Sequence, residues 1–309
     1  MQTPDKLFKY KKFDADCMDL ILSDQLYFAN PNQFNDPLDC KVSIVDDIND
    51  EITLKSILTG LYQRSAEEKL NHAANNLHYH GPKTKNKISS LSETEAARRI
   101  SEIYEQFMFY EDDNFSITEA LANLIGRLIL SGYNRGVLSL AENCDCPLMW
   151  SHYADNHKGL CLGYKIPDNI KKTIHNINYS SNSRDIRTSQ ILDMINGNKA
   201  AKDEIERSIF LRKASSWQYE KEWRMISNVG LQNASIYLSD IFFGLRCKDT
   251  TIYTVLKSLQ GREYPIKFWQ LSEVHQKFTL KKEEVSLNDE HLIYFPRCLE
   301  GIDVFLNQP

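Results

Sequence analysis

The residues best placed to do chemistry cluster in one run, Trp217-Gln218-Tyr219-Glu220-Lys221-Glu222-Trp223-Arg224. If the chain is extended from Glu220, side chains alternate between two faces. Glu220, Glu222 and Arg224 then share one face, and Lys221, Trp223 and Met225 share the other. Two carboxylates beside a guanidinium can stabilise positive charge, accept a proton or hold a hydroxyl. The same row also fits a plain salt-bridge ladder on a solvated face. The flanking tryptophans weigh against that plain reading, and both stay open.

Two further segments carry polar or aromatic groups in useful spacing. Phe34-Asn35-Asp36-Pro37-Leu38-Asp39 is turn chemistry, because Asn and Asp before proline favour Asx-type turns. A structural turn is its simpler reading. An amide and two carboxylates in one rigid turn also make a corner that can bind hydroxyls. In Leu148-Met149-Trp150-Ser151-His152-Tyr153, Trp150 and Tyr153 lie three apart and share a helix face. They are either a core pair or an aromatic wall for a flat ring.

Other signals are weak or absent. There is no GxGxxG, GxxxxGK[ST], HExxH or GxSxG. Cys144-Asp145-Cys146 is too tight for a zinc knuckle and reads as loop thiols. His78-Tyr79-His80 lies in a polar stretch and reads as a solvated loop. No metal is expected.

The elements that must position these residues follow from periodicity and punctuation. Leu7 to Phe13 alternates apolar and basic residues as a half-buried strand does. Asp14 offers an N-cap for a short helix. Residues 44–131 read as mainly helical, with an exposed basic loop over 79–88. Strands are expected over 136–140, 159–166, 222–226, 235–238, 241–245, 266–271 and 277–280. Helices are expected over 147–153, 200–212 and 250–259. Early helices and late strands suggest an α+β fold. The expected organisation is one α+β domain over 1–284, with 44–131 a mainly helical insertion. Residues 285–309 form an extension that docks on the body or on a partner.

Composition bounds the rest. The chain has 309 residues, 42% of them hydrophobic, so it can bury a sizeable core. The formal net charge of -5 argues against a generally basic nucleic-acid binder. No apolar run approaches the roughly 20 residues that cross a membrane. The polar start, Met1 to Lys12, has four lysines and lacks the apolar core of a secretory signal. Seven cysteines at irregular spacings fit free thiols in a reducing compartment. The expected place is the cytoplasm, with no membrane partner.

The segments LFKY, LYFANPNQFNDPLDC, PLMWSHYADNHKGLCLGY, KASSWQYEKEWRMI and DIFFGLRC resemble, in order, a bacterial family labelled domain of unknown function 2971. The resemblance runs from about 7 to 280. It covers Lys9, Tyr10, Phe34, Asn35, Asp36, Pro37, Asp39, Trp150, Tyr153, Gly159, Lys213, Trp217, Glu220, Glu222, Arg224 and Gly244. One position departs. The family usually has Cys-Phe-Ser-Glu where this chain has Ser139-Leu140-Ala141-Glu142, so Ala141 replaces the serine.

A looser resemblance, of layout alone, is to the ADP-ribosyltransferase superfamily. It implies a central, mostly antiparallel, split-sheet-like core with a helical insertion. It implies NAD as substrate, cleavage of the nicotinamide–ribose bond and transfer of ADP-ribose to an unknown acceptor. The acceptor would be nucleic acid, protein or a small molecule, and the role that of a toxin or phage-defence effector. Glu222 would be the catalytic carboxylate and Glu220 the acceptor's base or guide. Lys9, Lys213 and Arg224 would pair the pyrophosphate. Tyr10, Trp150 or Tyr153 would stack on nicotinamide, and Asn35 and Asp36 would line the cofactor site. The alternatives are a nucleotide- or nucleic-acid-binding sensor without catalysis, or a metal-dependent nuclease or phosphoesterase using Asp36, Asp39, Glu220 and Glu222.

Overall fold

A computed structural model of the chain describes residues 2–109, 116–133, 135–179 and 185–297. The first third holds β1 (Lys6–Lys11), α1 (Ala15–Leu22), β2 (Gln25–Phe28), β3 (Ser43–Val45), α2 (Glu51–Asn76) and α3 (Thr84–Phe107). Next come α4 (Ile117–Gly132), β4 (Gly136–Ala141), α5 (Pro147–Tyr153), β5 (Leu160–Lys165), β6 (Ile174–Asn176) and β7 (Asp185–Arg187). Then follow α6 (Thr188–Ile195), α7 (Lys199–Phe210), β8 (Glu222–Ser227) and β9 (Gly230–Asn233). The chain continues with β10 (Tyr237–Phe243), α8 (Asp249–Ser258), β11 (Lys267–Glu273) and β12 (Leu280–Glu284). The architecture is mixed α+β with a largely antiparallel open sheet.

Two compact units divide the chain. The first takes in Met1–Asn30, Gly136–Ile177 and Ser215–Pro309, and the second Pro31–Arg135 and Asn178–Ala214. The mainly helical unit therefore starts earlier than residue 44 and recruits 178–214. Sequence periodicity did not group that later stretch with the early helices.

In the first unit an eight-stranded sheet runs β12-β11-β10-β5-β1-β4-β8-β6. Neighbours are antiparallel except β10 and β11. β1 pairs with β5 along its whole length, from Lys6↔Lys165 to Lys11↔Leu160. β4 pairs likewise with β8, from Gly136↔Ser227 to Ala141↔Glu222. Yet β1 and β4 meet at one register pair, Phe8↔Ala141. Beyond it the β4 backbone turns to Ala29, which exchanges two hydrogen bonds with Val137 at 3.0 and 2.9 Å. The sheet thus narrows to a seam between β1 and β4.

Strand alternation gives each side of this sheet its own core. Leu7, Leu140, Leu162, Trp223, Ile241 and Phe243 face α1 and α8, meeting Cys17, Ile21, Ile252 and Val255. Tyr10, Ala141, Cys161 and Phe242 face α5, meeting Met149 and Trp150. Asp14 caps α1 by accepting the Cys17 amide at 2.9 Å. Val285 and Leu292 are buried in the first of these cores, with Leu287 and Phe295 packed against it. The first part of the C-terminal extension therefore docks on its own unit. Val304, Phe305 and Leu306 lie outside the described residues.

One polar residue changed the strand assignment. The sequence splits 235–245 into two strands because Ser239-Asp240 interrupts the apolar run. The structure has one strand, β10, with an irregularity between Leu238 and Asp240. Asp240 is buried but bonded by Lys6 at 2.5 Å, Ser239 at 2.6 Å and the Trp269 indole at 3.0 Å. These donors hold its carboxyl below the usual range despite burial, which pushes the other way.

The second unit packs α2, α3 and α4 on Leu54, Ile57, Leu58, Ile100, Ile103, Leu121, Ile125 and Ile129, all buried. Asp50 caps α2 through the Thr53 amide at 2.8 Å. Arg64 closes the end of α6 on the Met194 and Ile195 carbonyls at 3.0 and 2.6 Å. β3 and β7 form a short parallel pair. α3 begins at Thr84, so the expected 79–88 loop is shorter than its composition suggests.

Gly244 marks a close backbone approach in the first unit. Its amide donates to the Gly159 carbonyl at 3.1 Å. A Cβ there would overlap the His157 carbonyl and press the Trp150 ring at 3.0 Å. Gly244→Ala is expected to cost about 2 kcal/mol or more in chemical denaturation. Gly132→Ala, at the end of α4 with nothing within 4 Å, is expected to be neutral or to stabilise by up to about 1 kcal/mol.

Candidate functional site

The first unit brings Glu220, Glu222, Arg224 and Tyr153 into one constellation. A short 3-10 helix, Ser215–Glu220, brings Glu220 to the start of β8. Lys221 then adopts φ 44°, a left-handed conformation that is uncommon outside glycine. Its amide closes the turn on the Gln218 carbonyl at 3.2 Å. β8 starts only at Glu222. Glu220 is therefore not on the strand, and the expected three-residue row is broken at Lys221. Within β8 the alternation holds. Glu222 lies opposite Ala141, and Arg224 opposite Ser139 and His175. Trp223 and Met225 join the core on the other face.

Burial then decides between the two readings of this row. Glu222 is 3% exposed and Arg224 0%, so the solvated-ladder reading is wrong. Arg224 grips both carboxylate oxygens of Glu222, Nε to Oε1 at 2.6 Å and Nη2 to Oε2 at 3.1 Å. Such a two-pronged contact offsets much of the desolvation cost of bringing the charges inside. Glu220 is 4% exposed and accepts a hydrogen bond from the Tyr153 hydroxyl at 2.7 Å. Trp223 donates its indole N–H to Glu142 at 2.9 Å, which ties β8 to the end of β4.

The aromatic residues sort differently from the expectation. Trp150 is 0% exposed, and its core-pair reading holds, although its edge-on partner is Tyr10 at 5.3 Å and not Tyr153. The Trp150 indole donates to the Cys144 carbonyl, and the Tyr10 hydroxyl to the Asn143 carbonyl, both at 2.8 Å. Burial pushes the Tyr10 hydroxyl well above the ordinary phenol range. These two rings anchor the 143–146 turn and offer no open face for stacking. The run of rings nearer the glutamates is Tyr153, His152, Trp217 and Tyr219, each 6.0–6.2 Å from the next. Sequence reasoning did not single out His152 or Tyr219, because nothing in their spacing marks them.

Lys9 serves the seam. Its ammonium donates to the Ser139 carbonyl at 2.9 Å, where β1 and β4 have parted. Three expected site residues, Asn35, Asp36 and Lys213, belong to the second unit. There Asp36 accepts the Leu38 amide at 2.8 Å, making the Asx turn that its sequence implies. Lys213 pairs with Asp39 at 3.6 Å, both side chains buried. Of the carboxylates suggested for a metal-dependent reaction, Asp36 and Asp39 belong to the second unit and Glu220 and Glu222 to the first. Among the described residues no group of three or more His, Cys, Asp or Glu is arranged to hold a metal. Among them too, no helix is long and apolar enough to cross a membrane.

A family model, protein of unknown function (DUF2971), matches residues 149–225. Over that stretch the chain resembles DUF2971. The DUF2971 segment runs from α5 into β8 and holds Trp150, Tyr153, Lys213, Glu220, Glu222 and Arg224. Lys9, Tyr10, Asn35 and Asp36 lie outside it. No curated protein and no solved structure matches the chain. The departure at Ala141 falls at the register partner of Glu222. A serine there would place its hydroxyl on the same face as the carboxylate.

Two measurements probe this geometry. Arg224→Met would remove the guanidinium fork from the buried Glu222, and should cost about 3–5 kcal/mol by urea denaturation. Glu222→Gln combined with Arg224→Met should cost less than the single change. His157 lies against Trp150 at 6.2 Å and 18°, and bonds Ser151 at 3.2 Å. Burial and then Arg246 hold its imidazole below the ordinary value. The unfolded histidine therefore takes its proton first, at about pH 6.5, and stability falls as pH drops below that value. His157→Gln should flatten the loss of stability as pH falls below about 6.5.

Proposed function

We propose that the first unit binds NAD and transfers its ADP-ribose group to an acceptor, with Glu222 as the carboxylate that faces the ribose. The observation that carries this reading is the pair of glutamates, Glu220 and Glu222, buried two residues apart at the start of β8. Burying carboxylates is costly, and a core has no need of them. Such groups concentrate at working sites. The largely antiparallel sheet that narrows to a seam between β1 and β4 agrees with the split-sheet layout.

The chemistry follows from the donors. Loss of nicotinamide leaves positive charge on the ribose, as in glycoside cleavage. Glu222, held by the Arg224 fork, stabilises that charge and accepts from a ribose hydroxyl. Glu220, off the strand and bonded to Tyr153, takes the proton of the acceptor. The half-buried ring of Trp217, with the exposed His152 beside it, supplies the flat surface that Trp150 cannot. Lys9 and Lys213 are assigned no contact with NAD in this reading, since one holds the seam and the other pairs with Asp39. Action as a cytoplasmic toxin or defence effector rests on the layout resemblance, and would show as growth arrest on expression.

One observation favours a second reading. Both oxygens of Glu222 are taken by Arg224, which suits a rigid binding site as well as a reacting one. In that reading the unit binds a nucleotide without turning it over. Incubation with NAD labelled in the nicotinamide ring separates the two. The first reading expects nicotinamide release that survives chelator and drops about 100-fold or more in Glu222→Gln. Release unaffected by Glu222→Gln sinks it. Tight nucleotide binding with no release supports the second. Activity that dies with chelator points to metal-dependent chemistry instead.

A further inference from the structure

We infer that Tyr153 is a positioning residue for Glu220, and not a wall for a stacked ring. This rests on the transferase reading and extends it to a residue whose aromatic ring suggested another role. The hydroxyl of Tyr153 lies 2.7 Å from Glu220 Oε1, the distance of a strong O–H···O bond to a carboxylate. Glu220 is almost fully buried, so its orientation must be set by protein donors and not by water. Its own backbone does not set it through the sheet. It ends a 3-10 helix, and Lys221 takes a left-handed conformation before β8 begins. A donor comes from α5, 67 residues earlier in the chain.

α5 is a firm base for that donor. Trp150, one turn before Tyr153, is clamped by its indole on Cys144 and its amide on the Cys146 carbonyl at 3.2 Å. Tyr10 closes on the same turn through Asn143. The two glutamates are therefore held in different ways. Glu222 is gripped by a residue of its own strand, and Glu220 by a helix that the fold must bring to it.

The step that Tyr153 serves is the attack of the acceptor. The acceptor's nucleophilic atom forms a bond to ribose C1′ as the C1′–nitrogen bond to nicotinamide breaks. The electron pair of that bond stays with nicotinamide, which leaves neutral. The acceptor's proton passes to Glu220 and then to solvent. Tyr153 fixes which carboxylate oxygen receives it.

Tyr153→Phe tests this, because it keeps the ring and removes one hydroxyl. Steady-state nicotinamide release should show kcat lower by roughly 10- to 100-fold with KM for NAD unchanged. The thermal unfolding midpoint, read on the same samples, confirms that the assay temperature keeps the variant folded. Tyr153→Phe combined with Glu220→Gln should be no slower than Glu220→Gln alone, since both act on one group. A Tyr153→Phe enzyme with wild-type kcat overturns the inference, and is what a stacking wall or a purely structural tyrosine would give. Losses that multiply in the double variant overturn it too. If the unaltered chain releases no nicotinamide, the transferase reading fails and this one fails with it. Release that is normal in Tyr153→Phe removes this inference alone.

Discussion

The contact between Arg224 and Glu222 governs the middle of the first unit. Two charges have been taken out of water into the sheet, and their contact offsets part of the cost. The guanidinium fork fixes the rotamer of Glu222. Because Glu222 faces Ala141 across β4, the pair also fixes what can stand beside it. The opposite side of the same strand turns Trp223 and Met225 into the core against α1 and α8. One strand therefore presents a charged face and an apolar face, and the second anchors the sheet.

The seam between β1 and β4 gives this arrangement its place. The sheet is continuous by one register pair only, and the backbone groups left over find other partners. Ala29 takes Val137, and the Lys9 ammonium takes the Ser139 carbonyl. Unmet backbone groups are costly inside a protein, so such an opening persists only if it is supplied with donors. α5 packs across this side of the sheet, with Trp150 as its buried pin. Tyr153 at its end is thereby carried to Glu220.

The second unit follows simpler rules. Asp50 caps α2 and Ser116 caps α4, and the apolar seam of α4 reads directly from residue spacing. What spacing did not show is that 178–214 belongs with 31–135. Membership in a unit depends on which distant surfaces bury one another, and α6 and α7 have no periodic signal that names their partner. The Asn35-Asp36-Pro37 turn was legible in the sequence because an Asx turn is made by neighbours.

The sequence by itself determined the local matters. Asp14 announced a helix cap, the alternation from Glu222 onward announced a two-faced strand, and the 42% hydrophobic content announced a core. Each depends on residues within a few positions of one another, and the backbone's own periods make them visible. The tertiary structure decided the rest. It broke the row at Lys221, buried the carboxylates that alternation alone could have left in water, and drew Trp150 into the core beside Tyr10. It merged two expected strands across Asp240 by supplying Lys6 and Trp269 as donors. It also gave Glu220 its partner from 67 residues away. Such partners are set by the path of the chain, because only folding brings side chains so distant in sequence within hydrogen-bond reach.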